Sequence, residues 1–277
     1  MVRMSGFGQD GPYRDRPGFG VVAEAMGGMR YVTGYPDRPP VRMGISIGDS
    51  IAALHGVIGA MMALHHRDVN GGNGQYIDVA LYEAVFNMME SLIPEFDVLG
   101  FKRERAGNEL PGITPSNTYP TRDGKYVIIG ANNDSIFKRL MAAMGRDDLA
   151  GDPDLATNAG RTPRVRELDD AIEAWTRMHD LDVVLTALER AEVPSGRVYD
   201  AEDIVTDAQY AARKVIEQWK LPDGKSMKIP GVVPKLSGTP GATRWLGPTL
   251  GEHTAQILTA LGYSATDQEK LKSRGVT

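Results

Sequence analysis

Apolar positions recur at three- and four-residue spacing in some stretches and cluster with β-branched and aromatic residues in others, a pattern of helices mixed with short strands. The opening Met1-Val-Arg-Met, running into Ser5-Gly-Phe-Gly-Gln-Asp-Gly-Pro12, reads as the exit from a strand. The spacing then predicts a helix over 19–29, a Gly- and Pro-rich turn over 34–40, and a helix after Asp49 carrying the apolar run 51–64. Asn70-Gly-Gly-Asn-Gly74 marks a turn before a strand-like Gln75-Tyr-Ile-Asp78. A single long helix is expected over 79–99, with apolar residues at 81, 85, 88, 89 and 92 forming a core stripe and Asp78 as its cap.

The composition changes after Gly100, where Lys-Arg-Glu-Arg leads into the linker-like Asn108-Glu-Leu-Pro-Gly-Ile-Thr-Pro115. Strand residues flanking Asp123-Gly124 predict a hairpin, followed by helices over 135–144, 165–178 and 181–192. A second hairpin is expected around Asp223-Gly224, and a helix over 251–262 that Gly262 terminates. These segments divide the chain at 1–107, at 108–214 as a small α+β domain, and at 215–277.

With 277 residues, 42% of them hydrophobic, the chain can bury a substantial core. Its net charge of −5 and dispersed Lys and Arg residues exclude the basic stripe that nucleic-acid binding requires. Having no cysteine, it can form no disulfide, thiol nucleophile or cysteine-ligated metal site, as a cytoplasmic location permits. The run 51–64 contains His55 and falls short of the roughly 20 residues that a bilayer demands, and no signal peptide is apparent, so a soluble protein away from membranes is expected. The five histidines have no partner set suited to a metal, so none is expected.

Asp49 is the candidate catalyst. It stands where Met43-Gly-Ile-Ser-Ile-Gly48 turns into an apolar helix, and a helix start offers unpaired N–H groups and a positive dipole end to an anion. The alternative is simpler: Asp49 or Ser50 serves as an N-cap.

Several motifs in order bring further meaning. Ser5-Gly-Phe-Gly-Gln-Asp-Gly-Pro-Tyr-Arg-Asp-Arg-Pro17, Ala25-Met-Gly-Gly28 with Thr33-Gly34, Gly48-Asp49-Ser50, Asn73-Gly74-Gln75 with Asp78-Val-Ala-Leu-Tyr-Glu-Ala84, and Leu250-Gly-Glu-His-Thr254 together resemble the class III CoA-transferases, the family of formyl-CoA transferase and carnitine CoA-transferase. The resemblance covers nearly the whole chain and places Asp49 on the family's catalytic aspartate. It implies an α/β fold: a partial Rossmann-like large domain formed from both chain ends, with an inserted smaller α+β domain. It also implies CoA exchange between an acyl-CoA donor and a small carboxylic acid acceptor through aspartyl anhydride and aspartyl-CoA intermediates. CoA thioester is then a substrate, and no cofactor is bound permanently. Ser50 and the glycines near Asp49 are local candidates for stabilising the oxyanions.

The resemblance further places Arg16, Pro17, Gly18 and Phe19 on the stretch that approaches CoA. Pro17 stands where formyl-CoA transferase has a lysine, leaving Arg16 as the available cation, with a solvated loop charge as the alternative. Phe19 is divided between core packing and cofactor contact. The α-methylacyl-CoA racemases are similar, but they carry a Gly-His-Asp-type segment where this chain has Gly18-Phe19-Gly20, so their histidine base is absent. The 107–115 segment lacks the long glycine-run loop of formyl-CoA transferase, which disfavours oxalate and leaves small dicarboxylates or an aromatic succinate as acceptors. The family's early nucleotide-binding strands have no counterpart before Met1. The expectation is therefore a homodimer, or a chain needing a partner for its N-terminal half, that is weakly active alone and prone to self-association.

Overall fold

The strand Val2–Ser5 (β1) lies parallel to Ile77–Ala80 (β2), in the register Val2↔Ile77 to Ser5↔Ala80, in a computed structural model that describes residues 1–277. Parallel strands need a long crossover, and here it contains the helices Gly20–Met26 (α1), Met29–Val32 (α2) and Ile47–Val69 (α3). Small residues let α3 approach the strand pair closely. A Cβ on Gly59 would stand 2.8 Å from Ile77, and one on Gly56 3.4 Å from Val2. Ile51, Ala52, Val79 and Ala84 are buried together at this junction.

The run 51–64 is only the middle of α3, which at 23 residues is long and apolar enough to cross a bilayer by length and composition. Its Gly56 and Gly59 face is nevertheless the one packed on the strands.

The expected helix over 79–99 is in fact two. Val79 and Ala80 complete β2, after which Leu81–Asn87 forms α4 and Leu92–Leu99 forms α5. Pro94 explains the break: a continuous helix would need its missing N–H to bond the carbonyl of Glu90, whereas a proline in the first turn of α5 sacrifices nothing. Glu90 instead takes a left-handed φ of 52°. The stripe is accordingly split, with Val85 and Met89 buried and Met88 exposed. Asp78 is also not a cap. It sits in β2, where its Oδ2 accepts the backbone N–H of Gln9 at 2.9 Å.

Further along, Ser116–Pro120 (β3) and Tyr126–Gly130 (β4) form the expected antiparallel hairpin, closed by Thr121 N–H donating to the Lys125 carbonyl with Gly124 at φ 75°. Ser195–Arg197 (β5) adds to the far side of β4. Between them run Asp134–Ala143 (α6), Asp147–Ala150 (α7), Asn158–Arg161 (α8), Val165–Thr176 (α9) and Leu181–Arg190 (α10). Fifteen buried apolar residues, from Tyr119 to Val193, form the core here, against four at the α3 junction. With roughly 1.5–3 kcal/mol for each large side chain removed from water, this module holds most of the chain's hydrophobic stabilisation. Arg161, fully buried, donates to the carbonyls of Thr114, Leu155 and Asn132 and to Asp134 Oδ1, so its charge and its N–H groups are matched.

All of these elements fall within a compact unit spanning Met1–Val198; a second spans Tyr199–Thr277. The second contains Ala201–Thr206 (α11) and Ala208–Ala212 (α12), capped by Asp200 and Asp207, and the antiparallel hairpin Ile216–Lys220 (β6) with Ser226–Pro230 (β7). It ends in Thr254–Ala260 (α13) and Ala265–Ser273 (α14), with Gly262 at φ 90° just after α13. The fold is mixed α/β.

Candidate active site around Asp49

Helix α3 begins at Ile47, so Asp49 is its third residue, not its cap. Ser46 holds the cap position without a side-chain hydrogen bond. The first helical bond, from Ser50 N–H to the Ser46 carbonyl, leaves the N–H groups before it unpaired within the helix. Ser50 does not reach outward either: its hydroxyl donates to the Ser46 carbonyl at 3.0 Å. The oxyanion-stabilising role considered for Ser50 would need that bond broken, whereas the backbone N–H groups of the first turn remain available. Asp49 itself is exposed, in the first turn of a 23-residue helix.

The carboxylate is seated on the first residue of α1. A Cβ built on Gly20 would overlap Asp49 Oδ2 and stand 2.7 Å from Cγ and 2.9 Å from Oδ1. One residue before Asp49, a Cβ on Gly48 would come within 3.3 Å of both the Gly20 carbonyl and Glu24 Cγ. Glu24, 2% exposed, accepts from Arg30 at 2.8 Å through Oε2, while its buried Oε1 has no hydrogen-bond partner. Sequence reading missed Gly20 and Glu24. The available signal was a carboxylate at position 24 within the otherwise apolar segment Val21-Val-Ala-Glu-Ala-Met26, spaced i, i+4 from a glycine at the helix start.

The segment leading into Gly20 carries the other predicted residues, so the fold brings Arg16, Pro17, Gly18 and Phe19 within a few residues of the Asp49 seat. The Arg16 guanidinium stacks over the Tyr13 ring, 3.7 Å from its centroid, and has no acidic partner. Tyr13 in turn meets Phe7 edge-on at 5.8 Å, and Phe7 lies 6.3 Å from Tyr82. Burial, helped by a hydrogen bond to Glu83, holds the Tyr82 hydroxyl above its ordinary pKa. Pro17 is exposed. Gly18 touches Gly6 backbone to backbone, where a Cβ on either would stand 2.9 Å from the other's Cα. Phe19 precedes α1 and is 78% exposed, so core packing is ruled out for it.

His55 is engaged locally, with Nδ1 2.9 Å from the Ile51 carbonyl and Nε2 3.3 Å from Asn87 Oδ1. No three His, Asp or Glu side chains gather around a possible ion. The chemistry on offer is therefore that of an exposed carboxylate at a helix start, seated on Gly20, with an arginine and an exposed aromatic ring in the segment that leads into Gly20.

Comparison with known proteins identifies the family. The profile of CoA-transferase family III matches residues 1–254. The chain is 49% identical, over 277 residues, to the succinyl-CoA–D-citramalate CoA-transferase of Chloroflexus aurantiacus, covering 100% of this chain and 69% of that enzyme. It is 38% identical to the β subunit of the succinyl-CoA–L-malate CoA-transferase of the same organism, covering 93% of this chain and 64% of the relative. Among solved structures, a CaiB/BaiF family protein from Brucella suis superposes with a TM-score of 0.77 at 31% identity, over 94% of this chain and 67% of that one. The chain thus spans about two thirds of the length of its relatives, and on these matches it belongs to the class III CoA-transferases.

Proposed function

We propose that the protein moves CoA from succinyl-CoA, or a similar acyl-CoA, to a small dicarboxylate, with Asp49 as the nucleophile. The observation that carries this reading is the placement of Asp49: exposed, in the first turn of α3, and seated on Gly20. Its Oδ attacks the thioester carbonyl, the C–S bond breaks, and CoA leaves as thiolate, giving a mixed anhydride. The thiolate then attacks Asp49 Cγ and expels the donor carboxylate, giving aspartyl-CoA. An acceptor carboxylate attacks the same Cγ and releases thiolate. That thiolate takes the acceptor acyl group and returns Asp49 as a free carboxylate. Bonds and electron pairs balance at each step without a net proton transfer.

Substrate class is supported by the named relatives, which act on succinyl-CoA with the hydroxydicarboxylates citramalate and malate. The exposed Arg16 and Phe19 suit a CoA phosphate and an adenine face. A racemase reading gains nothing here, since no histidine stands in the 16–20 segment. The working form is a homodimer, or an assembly with a partner that completes the nucleotide-binding half; one relative is itself named as a subunit.

Asp49→Ala provides the test. Because Asp49 caps nothing, its removal should cost no more than about 1 kcal/mol of helix-dipole stabilisation while abolishing transfer of CoA to citramalate or malate. Turnover at the wild-type rate in the variant would end the proposal.

A further inference from the structure

Glycine at position 20 is not required by the backbone. Gly20 is absent from the left-handed residues of the chain, it is the first residue of an α-helix, and alanine is the better helix former there. What the position requires is space, because the Asp49 carboxylate fills the volume where a Cβ would stand. Position 48 repeats the pattern, its vacant side facing the Gly20 carbonyl, Glu24 Cγ and Val85 Cγ2 at 3.3–3.4 Å. Helices α1 and α3 thus meet through two side-chain-free surfaces, and the exposed carboxylate rests in the resulting notch.

We propose that Gly20 is a positioning residue for Asp49: by withholding a side chain it fixes the carboxylate in one orientation and keeps Cγ open to attack. The inference rests on the reading of Asp49 as nucleophile and deepens it. In the middle steps Asp49 Cγ is itself the electrophile and must become tetrahedral twice. A methyl group 2.7 Å from that carbon would crowd each of these stages. Because the carboxylate is exposed and ends a flexible side chain, it can swing away, so the fold survives while the geometry is lost.

The decisive comparison is Gly20→Ala beside Asp49→Ala in the full chain, with ¹³C NMR of carboxyl-labelled aspartate and Asp49→Asn identifying the Asp49 resonance. This readout requires no turnover. In Gly20→Ala the Asp49 resonance should move, and the thermal midpoint should hold or rise. In the catalytically active assembly, kcat should fall about 100-fold, the cost of a misplacement near 1 Å. The KM for succinyl-CoA should stay within about threefold, since ground-state binding is untouched. An unmoved Asp49 resonance in Gly20→Ala would overturn the proposal, and so would loss of the cooperative unfolding transition, since the carboxylate and not the fold is meant to yield. Full turnover in Asp49→Ala would instead remove the nucleophile reading beneath it. An inactive Asp49→Ala beside a fully active Gly20→Ala would leave that reading standing and sink the seat alone.

Discussion

Glu24 packs its Cγ into the space that Gly48 leaves vacant, and its carboxylate, buried at 2% exposure, accepts from Arg30 at 2.8 Å. This buried pair ties α1 to α2 directly beneath the turn that carries Asp49. Removing Arg30 would strand the charge of Glu24, which already has one oxygen unpartnered, and losses of this kind typically reach 3–5 kcal/mol. Arg30 is itself 22% exposed, so the lower part of that range is expected, on the order of 3 kcal/mol. Urea unfolding of Arg30→Ala should show this fall, and Glu24→Gln combined with Arg30→Ala should recover part of it. An Arg30→Ala chain as stable as the wild type would mean the pair contributes nothing.

Arg16 stacks on Tyr13, while its acidic neighbour Asp15 pairs with Arg14, which leaves the Arg16 charge to a phosphate. If it holds a CoA phosphate, Arg16→Ala should raise the KM for acyl-CoA about tenfold, equivalent to ~1.4 kcal/mol, with kcat little changed. Added salt should weaken CoA binding less in the variant than in the wild type. Calorimetry with free CoA gives the same comparison without turnover. Equal affinities and equal salt dependence would return Arg16 to an ordinary solvated loop charge.

Arginine-paired carboxylates of the 116–197 module make its stability depend on pH, and three of them cluster around Arg146 and Arg164. Arg146 pushes the Asp148 carboxyl down to about 2, and Arg164, bonded to both Asp152 and Glu167, holds each of them below the usual range. Groups whose folded pKa is depressed add stability above their unfolded values and lose it as pH falls through the folded ones. The urea midpoint should therefore be level above about pH 5 and decline from about 4.5 towards 2. Asp148 and Glu167 are exposed and Asp152 is half-buried, so most of the decline should shrink in about 1 M salt. Arg164→Gln should flatten it further. A midpoint unchanged down to pH 2.5 would contradict this account.

Local periodicity made the 116–197 module legible in the sequence, because its helices and hairpin are each specified by nearby residues: Asp123-Gly124 for the turn, Leu168 and Ile172 for the buried face of α9. The α4/α5 break was misread because the apolar spacing runs through Pro94 and outweighed the missing N–H. The position of Asp49 within α3 was off by three residues, since Ile47 and Gly48 carry no start signal and Ser46 makes no capping bond. The seat itself lay beyond local pattern. Gly20 and Asp49 are 29 positions apart, and only the crossing of two helices reveals that a missing side chain at one makes room for the other.

One face of α3 remains open. Leu54, Val57, Ile58, Met61 and Met62, spaced along the side of the helix away from the strands, are 56–69% exposed, and the β1–β2 sheet has only two strands. Two-stranded parallel sheets are rarely stable without further strands and covered faces, and apolar patches of this kind promote association. The 277-residue chain alone is therefore expected to self-associate through this face and to transfer CoA weakly. Light scattering across a concentration series should show growth beyond the monomer, and Val57→Glu with Met61→Lys should suppress it without unfolding, because both side chains already face water. Supplying a segment homologous to the part of its relatives that this chain does not span, fused or as a separate chain, should raise turnover and end the non-specific growth. A chain that stays monomeric at high concentration while turning over as fast with the segment as without it would show that the open face needs no cover.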